Sequence, residues 1–187
     1  MIPLSRRTRV QLRRRYRKRI NRAPSPLLAT GLPWVSVMLL SLLSASTLIL
    51  SSPVLPPIAF QGLLAWRMLR PGMLPLWAGF PLGAVDDLYS GQPFGSAALL
   101  WSVALLVMEL VDKRLRWRGF FADWLVASVL ILLYLAGTTL IAAMAGADVQ
   151  PDMLAPQATM AIVVHPLITR LIASLDRLRL LPLKTTA

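Results

Sequence analysis

Cysteine is absent from the 187 residues, and histidine occurs once, at His165. No disulfide framework, thiolate metal site or thiol nucleophile can therefore be built, and a single imidazole is little to start a metal centre from. Acids are scarce as well, eight against twenty Lys and Arg. The chain lacks a Gly-x-Ser-x-Gly elbow, a phosphate-binding Gly-rich loop ending in Lys, and a His-Glu-x-x-His pair. No repeat of solenoid or propeller period is visible. These absences point away from an enzyme and from a metal or organic cofactor.

What the chain has in quantity is apolar surface. Hydrophobic residues make up 56%, charged residues only 15%, and the mean hydropathy is +0.63. A soluble domain of this size could not hide that much apolar surface in one core, so most of it must face lipid. The net charge of +12 suits nucleic acid, anionic lipid or topology signals, and its placement decides among them. Ten of the twenty basic residues, Arg13, Arg14, Arg15, Arg17, Lys18 and Arg19 among them, lie before Ala23 in an arm with no acid and one aromatic, Tyr16. Beside a membrane span, anionic headgroups are the nearer polyanion, at roughly 1 kcal/mol per basic residue close to the surface. We therefore expect a lipid surface and no nucleic acid. The apolar run from Trp34 to Leu50 is too long for a typical signal-peptide core and is followed by further apolar segments, so it reads as an uncleaved first span.

The expected class is all-α: a polytopic membrane protein of about six transmembrane helices with both termini cytoplasmic. Span 1 runs from about Trp34 to Ser51, span 2 from about Val54 to Leu69 and span 3 from about Gly72 to Val85. The last two are interrupted by Pro56, Pro57, Pro75, Gly79, Pro81 and Gly83 and are expected to be kinked or partly unwound. Asp86 to Gly95 reads as a polar turn, Ala97 to Val111 as span 4, Asp112 to Arg118 as a basic connector, Phe120 to Ala145 as span 5 and Gln157 to Leu175 as span 6. With the arm inside, six crossings leave every Lys and Arg cytoplasmic and Asp86, Asp87, Asp148 and Asp152 outside, as the positive-inside bias requires. The organisation is a basic arm (1–30), one membrane domain (31–176) and a short basic tail (177–187).

Residues 79–95 are the most informative. Gly79 and Gly83, four residues apart, share a helix face and permit close backbone approach by a neighbour. Asp87 with Ser90, Gly91 and Pro93 is turn chemistry, and Gly95 and Ser96 can start the next helix. Taken with the short spans and the basic amino terminus, the segment resembles the MreD family pattern: Gly, three apolar residues, Gly, a short gap, Asp-Leu, then Ser-Gly, Pro and Gly before an apolar helix. Asp86 stands where that family usually has an uncharged residue, and the basic arm is longer than many members need.

The resemblance implies a non-enzymatic subunit of the cell-elongation complex in the bacterial inner membrane. Such a subunit maintains rod shape, binds the bitopic protein MreC and helps couple MreB filaments to peptidoglycan synthesis, near RodA and its transpeptidase partner. It also implies a fold similar to the six-helix substrate-binding subunits of vitamin transporters. Such a transporter subunit is the alternative function. Small residues mark the faces expected to pack against MreC: Gly79, Gly83, Ala97, Ala98 and Ser102.

Residue by residue, Asp86 and Asp87 either line a polar cavity or partner-binding site, as a carboxylate kept at membrane depth usually does, or end a helix at the outer surface; the surface is the favoured place for Asp86, and Asp87 is expected to hold the turn through backbone amides. His165 should hydrogen-bond a neighbouring helix, with Pro166 kinking span 6. The six tryptophans, Trp34, Trp66, Trp77, Trp101, Trp117 and Trp124, read as interfacial anchors. Glu109, Asp112 and Arg116 sit at helical spacings where ion pairs form, and Asp123 is placed to reach the basic connector.

Overall fold

The computed structural model describes residues 26–48, 55–114, 119–147 and 151–179. Residues 1–25 of the basic arm, Arg116, Trp117, Arg118, Asp148 and residues 180–187 of the tail lie outside the described residues. Within them are six α-helices and no strand: α1 (Pro26–Leu48), α2 (Ile58–Leu69), α3 (Gly79–Ser90), α4 (Ser96–Arg114), α5 (Phe120–Met144) and α6 (Leu154–Arg179). Phe120–Met144 and Leu154–Leu178 are each long and apolar enough to cross a membrane, whereas Thr30–Ser44 and Ile58–Leu69 are shorter apolar segments.

Proline positions explain most boundaries. Pro56 and Pro57 delay α2 to Ile58, leaving it 12 residues, about 18 Å at the α-helical rise. Pro81 falls in the first turn of α3, where an amide would have no intrahelical acceptor anyway. The helix therefore continues past Val85, takes in Asp86 and Asp87, and ends at Ser90 because Gly91 adopts the left-handed conformation (φ 69°, ψ 6°). The turn expected from Asp86 onward thus begins five residues later, at Gly91.

Pro166 does not interrupt α6. Its ring takes the place of the amide that would bond the carbonyl of Ile162, and the indole Nε1 of Trp124 on α5 donates to that oxygen at 3.3 Å. A neighbouring helix thus satisfies what the proline leaves open, as a water-poor environment demands.

Helix α2 is the centre of the bundle. Nine consecutive residues, Ala59 to Arg67, are buried, and α1, α4, α5 and α6 all pack on it. Its polar side chains find partners across the bundle: Gln61 Nε2 donates to the carbonyl of Ala161 at 3.1 Å, and Trp66 Nε1 donates to Ser36 Oγ at 2.8 Å. Trp66 and Trp101 are fully buried, which corrects their reading as interfacial anchors. Trp101 meets Phe60 in a tilted contact, ring centroids 6.0 Å apart, and Phe60 stacks on Tyr134 at 4.3 Å. Trp77, by contrast, is exposed and packs on Trp34 at 5.3 Å.

Candidate functional site

Ion pairs gather the carboxy-terminal ends of three helices. Arg67 of α2, buried, pairs with Glu109 of α4 and lies 3.2 Å from Asp112. Arg70 reaches Asp176 of α6, Nε at 3.0 Å and a terminal nitrogen at 2.9 Å. Lys113 approaches Glu109 at 3.4 Å from one turn away. Neither Arg67 nor Arg70 was singled out from sequence. Their spacing at the end of an apolar run is visible there, but partners 42 and 106 residues away are not.

The opposite end carries the hairpin of α3 and α4. Asp87 Oδ1 accepts hydrogen bonds from the amide of Ala97 at 2.8 Å and from Ser96 Oγ at 3.1 Å. Its Oδ2 accepts from the amides of Gly95 at 2.9 Å and Ala98 at 3.1 Å. The first amides of a helix have no intrahelical acceptor and carry the positive end of its dipole, so one carboxylate answers both needs. Gly91 and Gly95, both at positive φ, let the chain double back, and the carbonyl of Pro93 accepts the amide of Ser96 at 3.1 Å.

The two glycines act inside the same hairpin. A Cβ on Gly79 would lie 2.8 Å from the backbone nitrogen of Ser102, and one on Gly83 would lie 2.6 Å from the carbonyl of Ala97 and the Cα of Ala98. The backbones of α3 and α4 therefore touch at both positions, and Ala98 is buried with them. Gly79, Gly83, Ala97 and Ala98 thus pack against one another within the chain. Arg13, Arg14, Arg15, Arg17, Lys18 and Arg19 lie outside the described residues.

Asp86 takes the cavity rather than the favoured place at the outer surface. It is 7% exposed and lines a partly open cavity of about 490 Å³ at the hairpin end of the bundle. Ser41 of α1, Phe60 of α2, Ser90 and Gln92 of the hairpin, Tyr134 of α5 and Gln157 of α6 share its walls. Gln157 Nε2 is held by the carbonyl of Leu55 at 2.8 Å, whereas the buried Ser90 Oγ has no hydrogen-bond partner. His165 is buried and has its side-chain contact on its own helix, with Thr169 Oγ1 at 3.4 Å, rather than on the neighbouring helix expected. Among the described residues no three His, Asp or Glu side chains converge as a metal site would need.

A family model described as rod shape-determining protein MreD matches residues 29–175. No curated protein and no solved structure matches the chain. The matched stretch takes in α2 to α5, all but the ends of α1 and α6, and the hairpin whose glycines and Asp87 suggested the resemblance.

Proposed function

The chain belongs to the MreD family of rod shape-determining bacterial membrane proteins, and from that membership we propose that it serves as a non-enzymatic inner-membrane subunit of the cell-elongation complex. The observation that carries the reading is the extent of the family match, which runs from residue 29 to residue 175 and so spans the packed bundle rather than an isolated motif. In this role the protein binds MreC, near RodA and its transpeptidase partner, and helps couple MreB filaments to peptidoglycan synthesis.

The proposed topology has six crossings with both termini cytoplasmic. Its support is the segregation of charge: Arg67, Arg70, Glu109, Asp112 and Asp176 meet at one end of the bundle, and the basic connector and tail follow from that same end. The arm and the tail then flank a single membrane domain, with the arm's basic residues against anionic headgroups. The fold is proposed to be similar to the six-helix substrate-binding subunits of vitamin transporters.

The partner surface is proposed to lie on the outward side of the α3 and α4 hairpin, where Phe80 and Leu99 are exposed. A photocrosslinking residue at each of these positions, in the native host, tests it alongside cell shape after depletion. Capture of MreC with rounding of rod-shaped cells is the expected result. Failure to capture MreC from either position, with unchanged shape, would reject the role.

A further inference from the structure

We propose that the cavity at the hairpin end of the bundle binds a small organic cation, a protonated amine carried on an apolar body. This binding is additional to the scaffolding role and does not rest on it.

The two neighbouring acids of α3 are used differently. Asp87 spends its oxygens on four donors at the start of α4. Among the described residues, Asp86, equally buried, makes no ion pair, and no Lys, Arg or His lines the cavity that it enters. Every other polar side chain that lines the cavity among the described residues, Ser41, Ser90, Gln92, Tyr134 and Gln157 included, is neutral. A carboxylate taken out of water without a cation is costly, and removing that penalty is the strongest interaction the cavity can offer a ligand.

The remaining wall defines the ligand's body. Pro56, Pro57, Ile58 and Leu135 are apolar, and the stacked pair of Phe60 and Tyr134 adds aromatic surface. Aromatic faces attract cations and cover apolar groups equally well. Ser90 Oγ, buried without a partner, supplies a further hydrogen-bonding group for the ligand's head. The volume of about 490 Å³ falls within the range typical of small-molecule sites. An anionic ligand would set like charge against Asp86 with only neutral donors to offset it, which excludes carboxylates and phosphates.

The full-length protein, purified in detergent, is titrated by calorimetry with 2-phenylethylamine, 2-phenylethanol and 3-phenylpropionate, with heats referred to empty micelles. We expect saturable binding of the amine, roughly tenfold or more tighter than the alcohol, the ratio that one charge-assisted hydrogen bond supplies, and no binding of the carboxylate. Asp86→Asn should remove the preference for the amine and leave the alcohol unchanged. Met160→Trp, at the half-exposed rim of the cavity, should weaken both ligands without lowering the melting temperature, and it serves if the Asp86 variant does not fold. Repeating the titration in nanodiscs with and without phosphatidylethanolamine separates a soluble amine, equally tight in both, from an aminophospholipid, which would compete. No saturable amine binding, equal binding of the carboxylate, or amine binding undiminished in the folded variants would overturn the proposal.

Discussion

Arg70, just past the end of α2, closes on Asp176 near the end of α6 across 106 residues of chain. Its neighbour Arg67 does the same for α4, but the two arginines differ in surroundings: the Arg67 side chain is 5% exposed, that of Arg70 47%. Water and salt screen the half-exposed Arg70, so its pair contributes less, although Asp176 itself is buried. A buried arginine that loses its acids, or acids that lose their arginine, leave charge without compensation.

Arg67→Ala should therefore destabilise the purified protein by about 1–3 kcal/mol, and Arg70→Ala by less, about 0.5–1 kcal/mol, because Arg70 is half exposed although its partner is not. Arg67→Lys should recover only part of the loss, since an ammonium lacks the forked geometry that reaches Glu109 and Asp112 together. Thermal unfolding in detergent compares the three. Equal effects at both arginines would contradict the assignment.

Asp87→Ala should cost about 1–3 kcal/mol for each buried donor that it leaves without an acceptor. The loss should appear first as faster amide exchange at Gly95, Ala97 and Ala98, the three backbone donors now held by the carboxylate. Asp87→Asn keeps an acceptor but gives up the charge that favours a helix amino terminus, so its exchange rates should fall between those of the parent and Asp87→Ala.

Gly83→Ala should overpack the hairpin at a cost of about 1–3 kcal/mol, because the added carbon meets backbone at 2.6 Å and backbone cannot rotate away. Gly31→Ala in α1 is the matched control: a Cβ there meets nothing within 4 Å, and alanine is the better helix former by about 0.8–1 kcal/mol. The two substitutions should thus have opposite signs in a melting experiment.

Cysteine is absent, which makes topology directly measurable. Single cysteines placed at Gln92 and at Lys113 should label oppositely with a membrane-impermeant maleimide applied to intact spheroplasts, Gln92 reacting and Lys113 not. Labelling of both, or of Lys113 alone, would refute the six-crossing arrangement.

Much of this architecture is legible in local sequence. The long apolar runs of α5 and α6 announce themselves by length, and Gly79 with Gly83 marks a close approach wherever it falls. The end of α3 is not legible in this way. Two acids and, after Leu88 and Tyr89, Ser-Gly-Gln-Pro read as a polar turn, yet the helix carries both acids inward because the amides of α4 and the cavity receive them. The same holds for Trp66 and Trp101, whose positions near span ends suggest an interface until Ser36 and Phe60 are seen beside them. Partners supplied by distant helices carry no local pattern, and they decide the surroundings of Asp86, Arg67 and Gln61.

The burial of α2 has a consequence for biogenesis. Gln61 takes its acceptor from Ala161, 100 residues later in the chain, and at about 5–20 residues per second the ribosome needs about 5–20 seconds to deliver it. During that interval α2 carries Gln61 and Arg67 without their final company, short and poorly suited to lipid. The central post of the bundle is thus among the first segments made and among the last secured, and chains truncated before α6 should be the preferred prey of membrane quality-control proteases.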